Sequence, residues 1–282
     1  ARSGEVVILG GTGFIGRRVT DKLLERGLPV TIVSRSPGTV SPGTETAMAE
    51  GRIRLLPGNL ENHRSLDAAL RGATVVIHLA TVKETRVLFL DAYVKGTFYL
   101  LVACRDAGHI KQYIQAGSDA RGGFYYYPQP IPIDENHTHS GYPGYYPLSK
   151  VLEEVLCEQF RIMHKLPITV LRFSWVYHED DILAHITLKE PNFGVPIWKD
   201  WAVTDEQRSY FAEGKDGVAC LVHPDGSAGK RHVVSINDVV QSIMLAIGNL
   251  TAVGEAFNVA APSPFSYDVV ADYVAKELDL PV

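Results

Sequence analysis

Short apolar runs alternate with segments of helical period along the first two thirds of the chain. Glu5–Leu9 is one such run; a glycine-rich turn follows, and Ile15, Val19 and Leu23 then recur at helical spacing until Gly27 closes the segment. The pattern predicts strand, turn, helix. Further strands are predicted at Val30–Val33, Ile53–Leu56, Val75–Leu79 and Tyr113–Ala116, with segments such as Val94–Ala107 suited to helix between them. After a Tyr/Pro/Gly-rich stretch, 124–147, a helix is predicted from about Leu148 to His164 and a buried strand at Ile168–Phe173. Such alternation implies an α/β fold, a doubly wound parallel sheet covered by helices on both faces.

The glycines of the first turn give the fold a ligand. Gly10, Gly11, Thr12, Gly13, Phe14, Ile15 and Gly16 read as GxxGxxG from Gly10 or as GxGxxG from Gly11. Glycines so placed let the chain turn tightly, let a pyrophosphate approach the backbone, and set a helix N-terminus against the anion. Their place between a strand and a helix is the context that a dinucleotide site demands. At the end of the second strand stand Ser34 and Arg35, where a carboxylate would favour the free ribose hydroxyl of NAD. A hydroxyl and a guanidinium suit the 2′-phosphate of NADP better. The cofactor expectation therefore leans to NADP over NAD, with a solvated loop charge as the plain alternative for Arg35.

Regularity weakens between Trp175 and Lys230, then Val239–Ile247 reads as a helix returning to the main sheet and Ala256–Val259 as a short strand. The expected division is a dinucleotide-binding domain over 1–173 plus about 231–250, and a substrate-binding subdomain over 174–230 and 251–282. With 282 residues, 46% hydrophobic and 21% charged, the composition excludes disorder, collagen and coiled coil as the main state. A net charge of -5 without a long basic run gives no reason to expect nucleic acid. The longest apolar stretches, such as 74–82, are too short to span a bilayer. Cys104, Cys157 and Cys220 form no CxxC or metal spacing and read as reduced thiols. His137, His139, His178 and His185 have no metal spacing either, so no metal is expected. The chain enters its first strand at Glu5 without a visible signal sequence, and a cytoplasmic location is the default expectation.

Candidate chemistry lies at Tyr146 and Lys150, four residues apart and so on one face of a helix. A phenol is a poor base at neutral pH; an ammonium about 4 Å away, at an effective dielectric of about 20, favours the phenolate by about 4 kcal/mol. Tyr and Lys at this spacing also meet by chance, but here they follow the fifth strand of a dinucleotide fold.

With these residues in place the chain resembles the extended short-chain dehydrogenase/reductase family, which holds NAD(P)-dependent sugar epimerases, dehydratases and reductases. GGTGFIG at Gly10–Gly16, GNL at Gly58–Leu60, HLA at His78–Ala80, VKGT at Val94–Thr97, YPLSK at Tyr146–Lys150, LRFSWVY at Leu171–Tyr177 and FNVA at Phe257–Ala260 occur in the family's order. The resemblance implies that Gly10, Gly13 and Gly16 hold the pyrophosphate, with Thr12, Phe14, Ile15, Leu79 and Ala80 also lining the cofactor site. It places Asn59 and Leu60 near adenine, and Lys150 on the nicotinamide ribose beside Tyr146, the acid/base. It also implies that Ser118, five residues before Gly123, hydrogen-bonds the reacting oxygen, a place in which the bland reading is a turn residue.

The departures matter as well. Family dehydratases carry Thr-Asp-Glu where this chain has Ser118, Asp119 and Ala120, so the eliminating base is missing and a dehydratase is disfavoured. Asp119 is left either to contact substrate or to cap a turn. Asn59 stands where an Asp is common, Tyr93 where an Asn is common, and His178-Glu179 where the family has Gly-Pro. Arg231 stands where epimerases bind the substrate diphosphate, or is a surface arginine beside Lys230. Tyr125–Tyr127, Tyr142, Tyr145 and Tyr146 with Trp198 and Trp201 make either a stacking wall for a sugar or loop packing. The family chain ordinarily continues for another 30 or so residues, so either a trimmed chain or a reduced subdomain is expected at Val282; helices near Val94 and Leu152 give an expected homodimer contact.

The expected function is hydride transfer at a carbinol carbon of a sugar or sugar-nucleotide, as a dehydrogenase or reductase. A nucleotide-sugar epimerase with retained NAD shares the same step, and a non-catalytic NADP(H) sensor is the rival of another class.

Overall fold

The first strand, β1 (Glu5–Leu9), buries four successive residues, which requires cover on both of its faces. The computed structural model describes residues 4–35, 42–81, 89–123, 132–178, 185–188 and 197–282. From β1 the chain enters α1 (Phe14–Glu25), β2 (Val30–Ser34), α2 (Pro42–Ala49), β3 (Ile53–Pro57), α3 (His63–Leu70) and β4 (Ala73–His78). A π-helical segment (Phe89–Lys95) runs directly into α4 (Gly96–Ala107), then come β5 (Gln112–Ser118), a 3-10 turn (Asp119–Gly122), α5 (Tyr145–His164) and β6 (Ile168–Phe173). Next are β7 (Trp175–Tyr177), α6 (Asp205–Ala212), β8 (Lys230–Arg231) and β9 (Val233–Ser235). The chain ends through α7 (Ile236–Ala246), β10 (Ala256–Val259), β11 (Phe265–Ser266) and α8 (Tyr267–Leu278).

Seven strands form one parallel sheet in the order β10-β6-β5-β4-β1-β2-β3. Strand order reverses between β1 and β4, whose Leu9 and His78 are register partners, so the loops after these two strands flank the switch point where α/β sheets bind ligands. One face of the sheet carries a core in which Val7, Leu9, Val76 and Tyr113 pack with Leu66 and Leu70 of α3, Leu100, Leu101 and Cys104 of α4, and Cys157 and Phe160 of α5. Val6 and Ile8 alternate with these along β1 and are equally buried, as are Val19 and Leu23 of α1 and Ile243 of α7.

The chain divides into two units, Ala1–Phe173 with Asn237–Val259, and Ser174–Ile236 with Ala260–Val282. The returning segment is thus 237–259, not about 231–250. The reason is strand pairing: Val233–Ser235 pairs with Trp175–Tyr177 inside the second unit, while Ala256–Val259 extends the main sheet along β6. In the second unit Ile186, Trp198, Val218, Tyr267, Ala271 and Val274 form a small core of their own.

Candidate active site

The loop after β1 is built for close backbone approach. Gly10 has φ +83, and a Cβ there would lie 2.8 Å from the Ala80 nitrogen and 2.9 Å from the Leu79 carbonyl carbon. A Cβ on Gly16 would stand 2.1 Å from the Gly10 oxygen, whereas one on Gly13 would meet only that oxygen, at 3.2 Å. Gly10 therefore lets the first loop press against Leu79 and Ala80 after β4, and Gly16 lets α1 start directly beneath it. The Gly13 N–H donates to the Gly10 carbonyl at 3.0 Å, and Gly13 is the N-cap of α1 with no side-chain cap. The open first-turn N–H groups and the bare cradle fit an anionic pyrophosphate, so the dinucleotide suits the residues present.

Around this loop stand the other expected cofactor residues. The Thr12 hydroxyl lies 3.4 Å from that of Ser34 at the end of β2, and Arg35 just beyond is exposed. Phe14 is partly exposed with the Arg18 guanidinium 4.6 Å from its ring centre, and Ile15 is half-buried. After β3, Asn59 accepts the Glu61 N–H on its side-chain oxygen, and Leu60 packs against Gly96, where a Cβ would be 2.7 Å away.

Lys150 and Tyr146 both lie on the first turns of α5. The Lys150 ammonium is 5.6 Å from the Tyr146 ring centre, 5.5 Å from that of Tyr93, and donates to the Ala116 carbonyl of β5 at 3.3 Å. Tyr93 meets Tyr146 edge to face at 6.4 Å, and its hydroxyl lies 2.8 Å from that of Thr81. Ser118 ends β5, two residues after Ala116, and caps the 3-10 turn: its hydroxyl accepts the Ala120 N–H at 3.2 Å and donates to Asp119 at 3.3 Å. The turn geometry is thus real at Ser118, and Asp119 is its hydrogen-bond partner.

Sequence reasoning missed what lies behind Lys150. Glu153, one turn on, places a carboxylate oxygen 2.8 Å from the ammonium, and both side chains are buried. Thr97 donates to the other Glu153 oxygen at 3.1 Å, and the Nε2 of His78 lies 3.1 Å from the Thr97 oxygen. Since the single hydroxyl proton is given to the carboxylate, His78 donates through Nε2 and is neutral. Burial and then Lys150 hold its pKa at about 3. Burial works against the charge on Lys150, but Glu153, Tyr146 and Tyr93 together hold it well above the usual lysine range. Burial pushes Glu153 up, with Lys150 and Thr97 pulling against it. The signal was available: an acid three residues after Lys150 shares its helix face.

Other expectations fall elsewhere. Trp198 is buried 6.3 Å from Tyr267 in the core of the second unit, so of the two alternatives for this ring it takes the packing one; a bulky apolar ring completes that small core. Arg231 is buried and not a surface arginine: its guanidinium stacks 4.1 Å from the Trp175 ring centre, and Trp175 meets His185 edge to face at 4.8 Å. Tyr125–Tyr127 and Glu179 lie outside the described residues. A cavity of about 410 Å³ opens beside α5 and β10, lined by Arg121, Glu154, Arg172 and Glu255 among others. It lies away from the glycine loop, and Glu154 is ion-paired with both arginines there. Among the described residues no helix is long and apolar enough to cross a membrane.

Known proteins agree with this architecture. A putative UDP-glucose 4-epimerase of Methanocaldococcus jannaschii is 25% identical over 90% of this chain and 80% of its own length. Tetraketide alpha-pyrone reductase 1 of Arabidopsis thaliana is 28% identical over 89% of this chain and 78% of its own. The crystal structure of a short-chain dehydrogenase/reductase superfamily protein from Agrobacterium tumefaciens with bound NAD superposes with a TM-score of 0.80 at 22% identity, covering 98% of this chain and 84% of that one. The model of the NAD dependent epimerase/dehydratase family matches residues 6–189. The chain belongs to that family.

Proposed function

We propose that the protein is an NAD(P)-dependent oxidoreductase acting by hydride transfer at a carbinol carbon of a sugar or sugar-nucleotide, with net oxidation or reduction as its outcome. The observation that carries this reading is the placement of Tyr146 and Lys150 on the first turns of α5, with Lys150 tied to β5 beside Ser118, in the same unit as a glycine cradle at the switch point. The dinucleotide supplies the hydride acceptor or donor when bound. Gly10, Gly13 and Gly16 give its pyrophosphate room, and the α1 N-terminus faces that charge. Tyr146 takes the proton from the carbinol hydroxyl, or returns it, at its phenolic oxygen. The Ser118 hydroxyl, now shared with Asp119, turns its hydrogen to the reacting oxygen. Lys150 keeps a positive charge beside the phenol.

Similarity to the UDP-glucose 4-epimerase favours a second reading, in which the cofactor is retained and the hydride returns to the opposite face. Ser34 and Arg35 offer a hydroxyl and a cation with no carboxylate at the end of β2, which supports NADP over NAD. Native mass spectrometry of the purified protein, followed by titration with NADPH and NADH, separates these possibilities; tighter NADH binding refutes the reading of Arg35. For the chemistry, Tyr146→Phe should lose about 10²–10⁴-fold in turnover while still binding the dinucleotide. Turnover on a sugar or sugar-nucleotide panel that survives this substitution removes Tyr146 from the mechanism, and a wild type inactive on the whole panel favours a sensor.

A further inference from the structure

The buried carboxylate behind Lys150 has no part in the reaction just described, yet it touches the one group said to tune Tyr146. Three hydrogen-bonding or ionic steps run inward from the site: Lys150 to Glu153 at 2.8 Å, Thr97 to Glu153 at 3.1 Å, and His78 to Thr97 at 3.1 Å. Thr97 donates to Glu153 directly, while the ammonium stands beside the other carboxylate oxygen as an ion pair and donates to the Ala116 carbonyl. His78 gives its proton to Thr97, Thr97 gives its proton to one carboxylate oxygen, and the ammonium faces the other; that arrangement is made for an anion. We propose that Glu153 is a positioning residue: it holds Lys150 in place, and it sets how much of the ammonium charge Tyr146 feels.

The proposal rests on the functional reading above only in what it says of turnover. The groups facing the pair come from every element packed on it: Tyr146 and Cys157 from α5, Tyr93 from the π-helical segment, Thr97 from α4, His78 from β4, and Tyr113 with the Ala116 carbonyl from β5. His78 is neutral and the cysteine and Tyr113 thiol and phenol are pushed up by burial, so Glu153 is the anion that opposes the lysine among these groups. An ammonium with a carboxylate 2.8 Å away acts on a nearby phenol as a dipole, a weaker influence than a lone cation. Removing the negative charge lowers the proton affinity of both neighbours: with Lys150 still protonated the phenol ionises at lower pH, and the ammonium in turn gives up its proton at a lower pH than in the wild type.

The test is Glu153→Gln, which keeps the shape and an acceptor for Thr97 while deleting the charge. On cofactor-free protein, the phenolate ultraviolet absorbance that Tyr146→Phe abolishes should appear at a pH lower by about one unit than in the wild type. With cofactor and substrate, both limbs of the pH profile of kcat should move to lower pH, while KM at the optimum changes less than twofold. Should the Gln variant fail to fold, Glu153→Ala, in which water can take the place of the carboxylate, is measured instead with the same expected sign. Absorbance curves that superimpose on the wild type, or that move to higher pH, overturn the proposal and leave Glu153 a purely structural pair. A Tyr146→Phe protein that still turns over removes Tyr146 from the reaction, and the absorbance measurement then still decides the role of Glu153.

Discussion

Gly13 and Gly16 differ in what surrounds them, and this separates two kinds of loss. A methyl at Gly16 would collide with the Gly10 and Gly11 backbone, which cannot yield without moving α1 off β1. Gly16→Ala should therefore lower both the unfolding midpoint and dinucleotide affinity. Gly13→Ala meets one carbonyl oxygen at 3.2 Å and is otherwise open, so it should fold normally but weaken dinucleotide binding by about tenfold, or about 1.4 kcal/mol. Calorimetric titration alongside thermal unfolding distinguishes the two; equal unfolding midpoints for both variants would contradict the packing argument. At this scale the glycines were legible because backbone geometry admits one residue type at such places. The Lys150 environment was half legible: the i to i+4 spacing gave Tyr146 its cation, but reckoning about 4 kcal/mol from a lone ammonium left out the carboxylate on the next turn.

The helix that carries the chemistry begins at Tyr145, not near Leu148, so Tyr146 sits inside its first turn. Pro147 disguises this start, although proline is tolerated in a first turn where its missing N–H has no intrahelical partner. Helix α5 is also tied to the sheet by a polar clamp. The Arg172 guanidinium of β6 grips Glu154 with Nε 3.1 Å from each carboxylate oxygen, and Arg121 of the 3-10 turn lies 3.5 Å from the same carboxylate. Arg121 also donates to the His137 carbonyl at 2.7 Å, and Arg172 to the Glu135 carbonyl at 2.8 Å, which fixes the segment leading into α5. Deleting one member of a buried pair strands the other charge, so Glu154→Ala should cost about 3–5 kcal/mol in denaturant unfolding. A loss below about 1 kcal/mol would show the clamp to be solvated like an ordinary surface pair. No spacing rule joins Arg121, Glu154 and Arg172, because the three meet only once β5, β6 and α5 have assembled.

For the whole molecule, the doubly wound sheet followed from short apolar runs alternating with segments of helical period, and the family model places the chain in the NAD dependent epimerase/dehydratase family. The boundary between the units was harder to read, since Val233–Ser235 and Ala256–Val259 are both short apolar strands and nothing local says which sheet each joins. The three cysteines turn that division into something measurable. Cys104 and Cys157 are sealed in the first unit, where burial raises both thiols far above the reactive range, while Cys220 is half-buried in the second. Under a pulse of iodoacetamide the native chain should take up a single adduct, mapped by peptide digestion to Cys220, with the other two appearing only as fast as the sheet and its helices part. Alkylation thus becomes a clock with one hand in each unit, and early adducts at Cys104 would show that the interior of the first unit breathes far more freely than its packing implies.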